Sequence, residues 1–281
     1  NPAGVVPDAK GLTDEQMLRI ARELNNSETA FMFETDSPDY NIEVRFFTPT
    51  TEVPICGHAT IAAHYVRAKE RNMEGGTVVQ KTKAGILPVE VVRTLSDYSI
   101  TMTQGTPAVS APFGDAVRER IADALGIAHE ELCREYPVAV ASTGHSKVMV
   151  PLYSNELLHG LRPDLQKLTK ISKQIECNGY YVFTLNPQNK ILVHGRMFAP
   201  AIGIAEDPVT GNANGPLGAY LVHFNILQEE DAPCFDFDIL QGEAIKRDGT
   251  MHVHVEKEHG APKLVQITGN AVIAFSTEIT I

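Results

Sequence analysis

The chain has 281 residues, 43% of them hydrophobic, with 24 basic against 35 acidic side chains for a net charge of −11. That length and apolar content suit one large core or two moderate ones, and the acidic balance disfavours a nucleic-acid partner, which normally meets a basic surface. No apolar run approaches the roughly 20 residues of a membrane span, no basic-then-apolar leader is visible, and the four cysteines, at 56, 133, 177 and 234, lack paired zinc-ribbon or redox spacing, so a cytoplasmic protein with reduced thiols is expected.

In chain order, Asn1-Pro2-Ala3-Gly4-Val5-Val6 opens straight into a strand. Thr13 and Gln16 form a capping box ahead of Met17, Ile20, Ala21 and Leu24, a stripe that predicts an outer amphipathic helix. Glu28 then stands between the end of that helix and an apolar strand beginning near Thr29. Ile42, Val44 and Phe46 alternate with Glu43 and Arg45, as a half-buried strand does. Cys56-Gly57-His58-Ala59-Thr60 opens a run to Val66 that is apolar on nearly every face, and a helix without a polar face must be surrounded by protein. Ser99 to Thr103 reads as another strand, and Thr106 to Gly114, with two prolines and a glycine, as a linker. Leu165 to Ile175 predicts a second outer helix, Gly211 to Val222 a second central one, and Met251, Val253 and Val255 against His252 and His254 a strand; all strands are expected to pair antiparallel. Leu264 to Ile281 returns to strand-like alternation and is able to complete either half.

Much of this pattern occurs twice. Ile20 to Phe31 aligns without a gap on Ile171 to Val182, the same offset takes Arg45-Phe46-Phe47-Thr48-Pro49 to Arg196-Met197-Phe198-Ala199-Pro200, and Gly57-His58-Ala59 returns as Gly211-Asn212-Ala213. Duplication is the simplest account. The expected organisation is therefore an N-terminal lobe over 1–107 and a C-terminal lobe over 115–271, with a C-terminal strand at about 272–281 free to join the first. Pro137 to Ser142 precede the second copy's Lys147 to Val150, with nothing comparable before Asn1, so a first strand is expected to be missing.

Where two copies enclose a cleft, residues that break their equivalence are candidates for function. Glu28 aligns with Gly179, His58 with Asn212, and Asp207 lies in a turn lengthened in the second copy. A carboxylate entering a core is expected to have its pKa raised toward the working pH, as suits a proton donor and acceptor; the rival reading of Glu28 is a loop carboxylate capping a turn. The glycine-led helix starts present unpaired N–H groups suited to a carboxylate or an enolate-like transition state, against the plainer reading that glycine allows close packing. His58, at a positive dipole end, is expected to be neutral, while Asp207 either enters the cleft or caps the second central helix. Cys56 precedes a helix start, where thiol pKa values fall, but its counterpart is Thr210 rather than a second thiol, which favours a packing role over two-thiol racemase chemistry. Beyond the alternating pair His252 and His254, which share one strand face and read as surface, the histidines show no metal-ligand spacing, and no metal or cofactor is expected.

The motifs Asn1-Pro2-Ala3-Gly4-Val5-Val6, Ser27-Glu28-Thr29, Arg45-Phe46-Phe47-Thr48-Pro49, Gly57-His58 and Glu206-Asp207-Pro208-Val209-Thr210-Gly211 resemble those of the phenazine-biosynthesis PhzF-like isomerases, related in fold to diaminopimelate epimerase and proline racemase. The resemblance implies an α+β, internally duplicated two-domain fold, each domain a curved antiparallel sheet or barrel round a central helix. It also implies a cofactor- and metal-independent isomerisation by proton transfer between carbons of a small carboxylate-bearing substrate, and a homodimer. It carries the catalytic roles onto Glu28, His58 and Asp207, and substrate binding onto Asn1, Ser27, Gly57, Ala59, Thr210, Gly211 and Asn212. The phenazine enzyme has serine where Asn212 stands and alanine where Cys56 stands, departures that bear on substrate more than on reaction class. A racemase using Cys56 and a non-catalytic binding protein on the same scaffold are the rival readings.

Overall fold

A computed structural model describes residues 1–227 and 232–280. Its backbone contacts separate two compact units: an N-terminal unit of Pro2–Thr103 with Thr268–Ile281, and a C-terminal unit of Gln104–Ile267 with Asn1.

The N-terminal unit contains β1 (Gly4–Val6), α1 (Asp14–Leu24), β2 (Thr29–Glu34), β3 (Ile42–Phe47), β4 (Glu52–Val53), α2 (Gly57–Arg71), β5 (Gly76–Thr82), β6 (Gly85–Arg93) and β7 (Tyr98–Thr103). The capping box at Thr13 and Gln16 forms as expected, and Met17, Ile20 and Ala21 turn inward onto Ala9, Phe31 and Phe47. The sheet runs β1-β2-β3-β5-β6-β7, with β4 on β3. Helix α2 touches β1 and β2 at one end of this order and β6 and β7 at the other, so the sheet curls round it. The helix extends beyond the predicted Val66 to Arg71 and ends on Asn72 in the left-handed conformation, φ 47°.

The C-terminal unit contains β8 (Ala108–Val109), α3 (Asp115–Leu125), β9 (Ala139–Ser142), β10 (Ser146–Pro151), α4 (Asn155–Gly160), α5 (Leu165–Ile175), β11 (Tyr180–Leu185), β12 (Ile191–Ala199), β13 (Ile204–Asp207), α6 (Gly211–His223), β14 (Cys234–Gln241), β15 (Gly249–Glu258) and, up to Ile267, β16 (Ala261–Gly269). Its sheet runs β16-β15-β14-β12-β11-β10-β9-β8, with β13 on β12. Helix α6 contacts β8, β9 and β10 at one end and β14 and β15 at the other. Every residue from Ala213 to Val222 is buried, as a helix with no polar face requires. Helices α3, α4 and α5 cover the outside of the sheet through Ile121, Leu125, Leu158, Leu168 and Ile171 against Val148, Tyr180 and Val182.

Three expectations are corrected. The sheets are mixed rather than antiparallel: β1–β2, β3–β5, β10–β11 and β12–β14 pair in parallel. Helices lie between the partners of each pair in the chain, and a parallel pair needs such a crossover. The stretch 106–114 is not a free linker, because β8 pairs with β9, and Ser110 and Phe113 donate their N–H groups to Val140 and Val138. The strand expected at 272–281 does not form over 271–280, which pairs with no edge and leaves Val272 and Phe275 exposed; Ile281 lies outside the described residues.

His64 on α2 is fully buried, with Nε2 3.0 Å from Gln80 Oε1 and no hydrogen-bond partner for Nδ1. Burial pushes its pKa down to about 4. Below the ordinary imidazole pKa the unfolded chain then binds a proton that the native state refuses, so stability falls with pH from about 6.5 to about 4 and levels off beneath. At 1.36 kcal/mol per unit this one group contributes a slope totalling about 3 kcal/mol. Urea denaturation across that window should show the loss, and His64→Gln, which can still reach Gln80, should shrink it; an unchanged slope would discount the buried imidazole.

Candidate active site

Glu28 immediately precedes β2, beyond the left-handed C-cap of α1 at Asn25, and its carbonyl accepts from Gly4 N at 3.1 Å. The chain is thus pinned on both sides of the carboxylate. Its side chain is 21% exposed, and Oε2, buried without a hydrogen bond, lies 3.3 Å from His58 Nε2. His58 is the second residue of α2. Ser27 Oγ lies 3.2 Å from His58 Nε2, and Cys56 Sγ 3.4 Å from His58 Nδ1. Burial pushes the His58 pKa down to about 4, so the ring is a neutral imidazole near pH 7, with burial rather than the helix dipole as the leading cause. Thr60 N makes the first intrahelical bond of α2, to Cys56 O at 3.0 Å, so Gly57, His58 and Ala59 carry the N–H groups with no helical acceptor. The structure brings Ser27, Glu28 and His58 together within the N-terminal unit, and adds Cys56, for which the sequence favoured a packing role.

Asp207, at the end of β13, heads a second cluster within the C-terminal unit. It does not cap α6: the N-cap is Thr210, whose own side chain makes no capping hydrogen bond. Asp207 instead accepts from Asn1 Nδ2 at 2.9 Å and from the Thr210 hydroxyl, and Asn1 Nδ2 also reaches Val209 O at 3.2 Å. Burial raises the pKa of Asp207, with these hydrogen bonds opposing, so the carboxyl holds its proton more readily than an exposed aspartate. Ala213 and Asn214 both donate to Thr210 O at 3.1 Å, which leaves Gly211 and Asn212 as the N–H groups at the α6 start without a helical acceptor. Asn212 Oδ1 accepts from Gln104 Nε2 at 3.5 Å.

Several contributors escaped the sequence. Gln241, fully buried on β14, donates to Asp207 O at 2.8 Å and accepts from Thr210 N at 3.2 Å and Asn214 Nδ2 at 2.9 Å. The buried Tyr181 hydroxyl donates to Asn214 Oδ1 at 2.5 Å, extending a satisfied network that holds the 207–210 turn in one geometry. No local pattern marks Gln241, because its partners lie on other elements. Lys147, 7% exposed, is the second. Its Nζ donates to Ser146 O at 3.1 Å, and burial lowers its pKa. A Cβ on Gly179 would stand 2.6 Å from Lys147 Cδ. A side chain at Gly179, the position that the sequence alignment sets against Glu28, would therefore have to displace the buried Lys147 side chain.

Metal-competent spacing also appears where none was expected. Glu28, Cys56 and His58 offer donor atoms within 4.8 Å of one another, as do Cys234, Asp236 and His254. The second group is assembled by cross-strand register, which residue spacing along the chain does not display.

Sequence and structural relatives give this geometry its class: the protein is an isomerase. It belongs to the PhzC-PhzF family, whose phenazine biosynthesis-like protein model matches residues 1–277. It is 53% identical over 282 residues to an uncharacterized isomerase of Clostridium acetobutylicum, covering 100% of this chain and 93% of the relative. The trans-2,3-dihydro-3-hydroxyanthranilate isomerase of Pseudomonas fluorescens is 31% identical over 274 residues, covering 97% of this chain and 91% of that enzyme. A crystal structure of a Bacillus anthracis phenazine biosynthesis protein of the PhzF family superposes with a TM-score of 0.89 at 33% identity, covering 100% and 94% of the two chains. Among the described residues no helix is long and apolar enough to cross a membrane.

Proposed function

We propose that this enzyme moves a proton between carbons of a small carboxylate-bearing substrate by acid–base chemistry, with no organic cofactor or metal ion in the reaction. The observation that carries the reading is the buried Oε2 of Glu28, without a hydrogen bond, beside a neutral imidazole. Glu28 abstracts the proton and returns it, and His58 orients and polarises the substrate as a neutral group. Asp207, held by Asn1 and Thr210 and favoured in its protonated form by burial, shares protons with the substrate's polar groups. The free N–H groups of Gly57, Ala59, Gly211 and Asn212 hold the carboxylate and the negative charge that develops as the C–H bond breaks.

The duplicated two-lobe organisation belongs to the same proposal. Phe31 pairs with Arg45 and Val182 with Arg196 in the same strand arrangement. Each arginine grips a glutamate through two hydrogen bonds, Arg45 with Glu52 and Arg196 with Glu206. Each also lies over a phenylalanine two residues on, at 5.2 Å from Phe47 and 5.0 Å from Phe198.

The isomerase relative's substrate, a ring carboxylate by its name, sets the starting point for a test. Cyclic and acyclic carboxylic acids are screened for a rise in melting temperature, and each ligand is then incubated with enzyme in heavy water and followed by NMR. A ligand whose carbon-bound hydrogen exchanges only when enzyme is present is expected; binding without exchange at carbon, across all ligands found, would defeat the proton-transfer reading. The 3.4 Å contact of Cys56 Sγ with His58 Nδ1 keeps a racemase reading distinct. Inversion at a stereocentre that disappears in Cys56→Ala would favour it.

A further inference from the structure

Strands β14 and β15 pair with Asp236 opposite His254, Asp238 opposite His252 and Cys234 opposite Glu256. Alternation buries Phe237, Ile239, Met251, Val253 and Val255 and turns the polar set to the other face. There His254 Nδ1 lies 2.7 Å from Asp236 Oδ1, His252 Nε2 3.2 Å from the same oxygen, and His252 Nδ1 2.8 Å from Asp238 Oδ1. The thiol of Cys234 completes a group with Asp236 and His254 whose donor atoms all lie within 4.8 Å of one another. None of these residues belongs to either cluster of the candidate active site.

We propose that this face binds a transition-metal dication of the zinc type through Cys234 Sγ, an Asp236 carboxylate oxygen and a His254 ring nitrogen, with solvent in the fourth position. Three donors surrounding one tetrahedral ion at bond lengths of about 2.0–2.3 Å stand somewhat over 3 Å apart, so donor atoms within 4.8 Å of one another close on the ion with side-chain adjustments alone. Thiolate and imidazole with a single carboxylate select zinc-like ions over magnesium or calcium, which take oxygen ligands. His252 contacts both Asp236 and Asp238, so it steadies the liganding carboxylate from behind as outer partners of metal sites do. An ion here joins β14 to β15 and acts on stability, apart from the isomerase chemistry. An acid–histidine ladder without a metal would place the same carboxylates and imidazoles together, but it would not recruit the thiol to a metal.

The full chain, freed of any purification tag and kept reduced with a phosphine, is titrated with cobalt(II) and followed by absorption. One equivalent is expected to produce the near-ultraviolet thiolate-to-cobalt band with tetrahedral visible bands, and zinc(II) should bleach both. Cys234→Ser should abolish the thiolate band, while Cys56→Ser keeps it, and His254→Gln should weaken cobalt binding at least about tenfold. Zinc should raise the melting temperature of the wild type and leave Cys234→Ser unmoved, and that variant should keep the wild-type deuterium exchange. Absence of the thiolate band in the wild type, or a band that survives Cys234→Ser and vanishes in Cys56→Ser, overturns the assignment.

Discussion

Glu28→Gln is expected to reduce substrate-dependent deuterium uptake from heavy water by about 10²–10⁴-fold, the usual contribution of a positioned general acid–base group. The amide preserves shape but has no basic oxygen able to take a proton from carbon. Oε2 of Glu28 has no hydrogen bond to lose, so the melting temperature should stay near that of the wild type. The neutral state of His58 matters to the interpretation: an uncharged ring faces either the carboxylate or the amide, so substitution removes the base without stranding a buried cation. Rates are read by NMR at saturating ligand, which separates lost chemistry from lost binding. Exchange retained in Glu28→Gln would remove Glu28 from the role of base, even if a bound carboxylic acid still raised the melting temperature.

Glu206→Ala is expected to destabilise the fold by about 3–5 kcal/mol, since it leaves a buried guanidinium without its counter-charge. Arg196 is 6% exposed. Its Nε and Nη2 bond to Glu206 at 2.9 and 2.8 Å, while Nη1 donates to Leu158 O and Leu161 O at 3.0 and 3.3 Å. That arrangement clamps the C-terminal end of α4 to β12 and to β13, the strand that ends at Asp207. Arg196→Met combined with Glu206→Leu should recover part of the loss, because neither charge is then buried alone. The related Arg45–Glu52 pair is a useful contrast: its arginine side chain is 21% exposed, Asp14 and Lys83 share its charges, and its rupture should cost less. Urea denaturation with an unchanged m-value measures both; a Glu206→Ala variant within about 1 kcal/mol of the wild type would show that the guanidinium finds water or another partner.

Local chemistry determined a great deal from sequence. The Thr13–Gln16 box set the start of α1, alternation at 42–47 and 251–255 chose the inward faces, and the glycine-led starts at Gly57 and Gly211 opened the two central helices. Glu28, His58 and Asp207 were candidates on sequence because each breaks the match between two similar stretches, a mismatch visible without coordinates. Only the tertiary structure decided which strands run parallel, that 271–280 makes no ladder, that Lys147 occupies the space beside Gly179, and that Gln241 ties Asp207 to Thr210. It alone set Asp236 opposite His254. The physical reason is range: capping and periodicity act within a few residues, whereas register and buried polar partnerships depend on segments that meet only after the chain has folded.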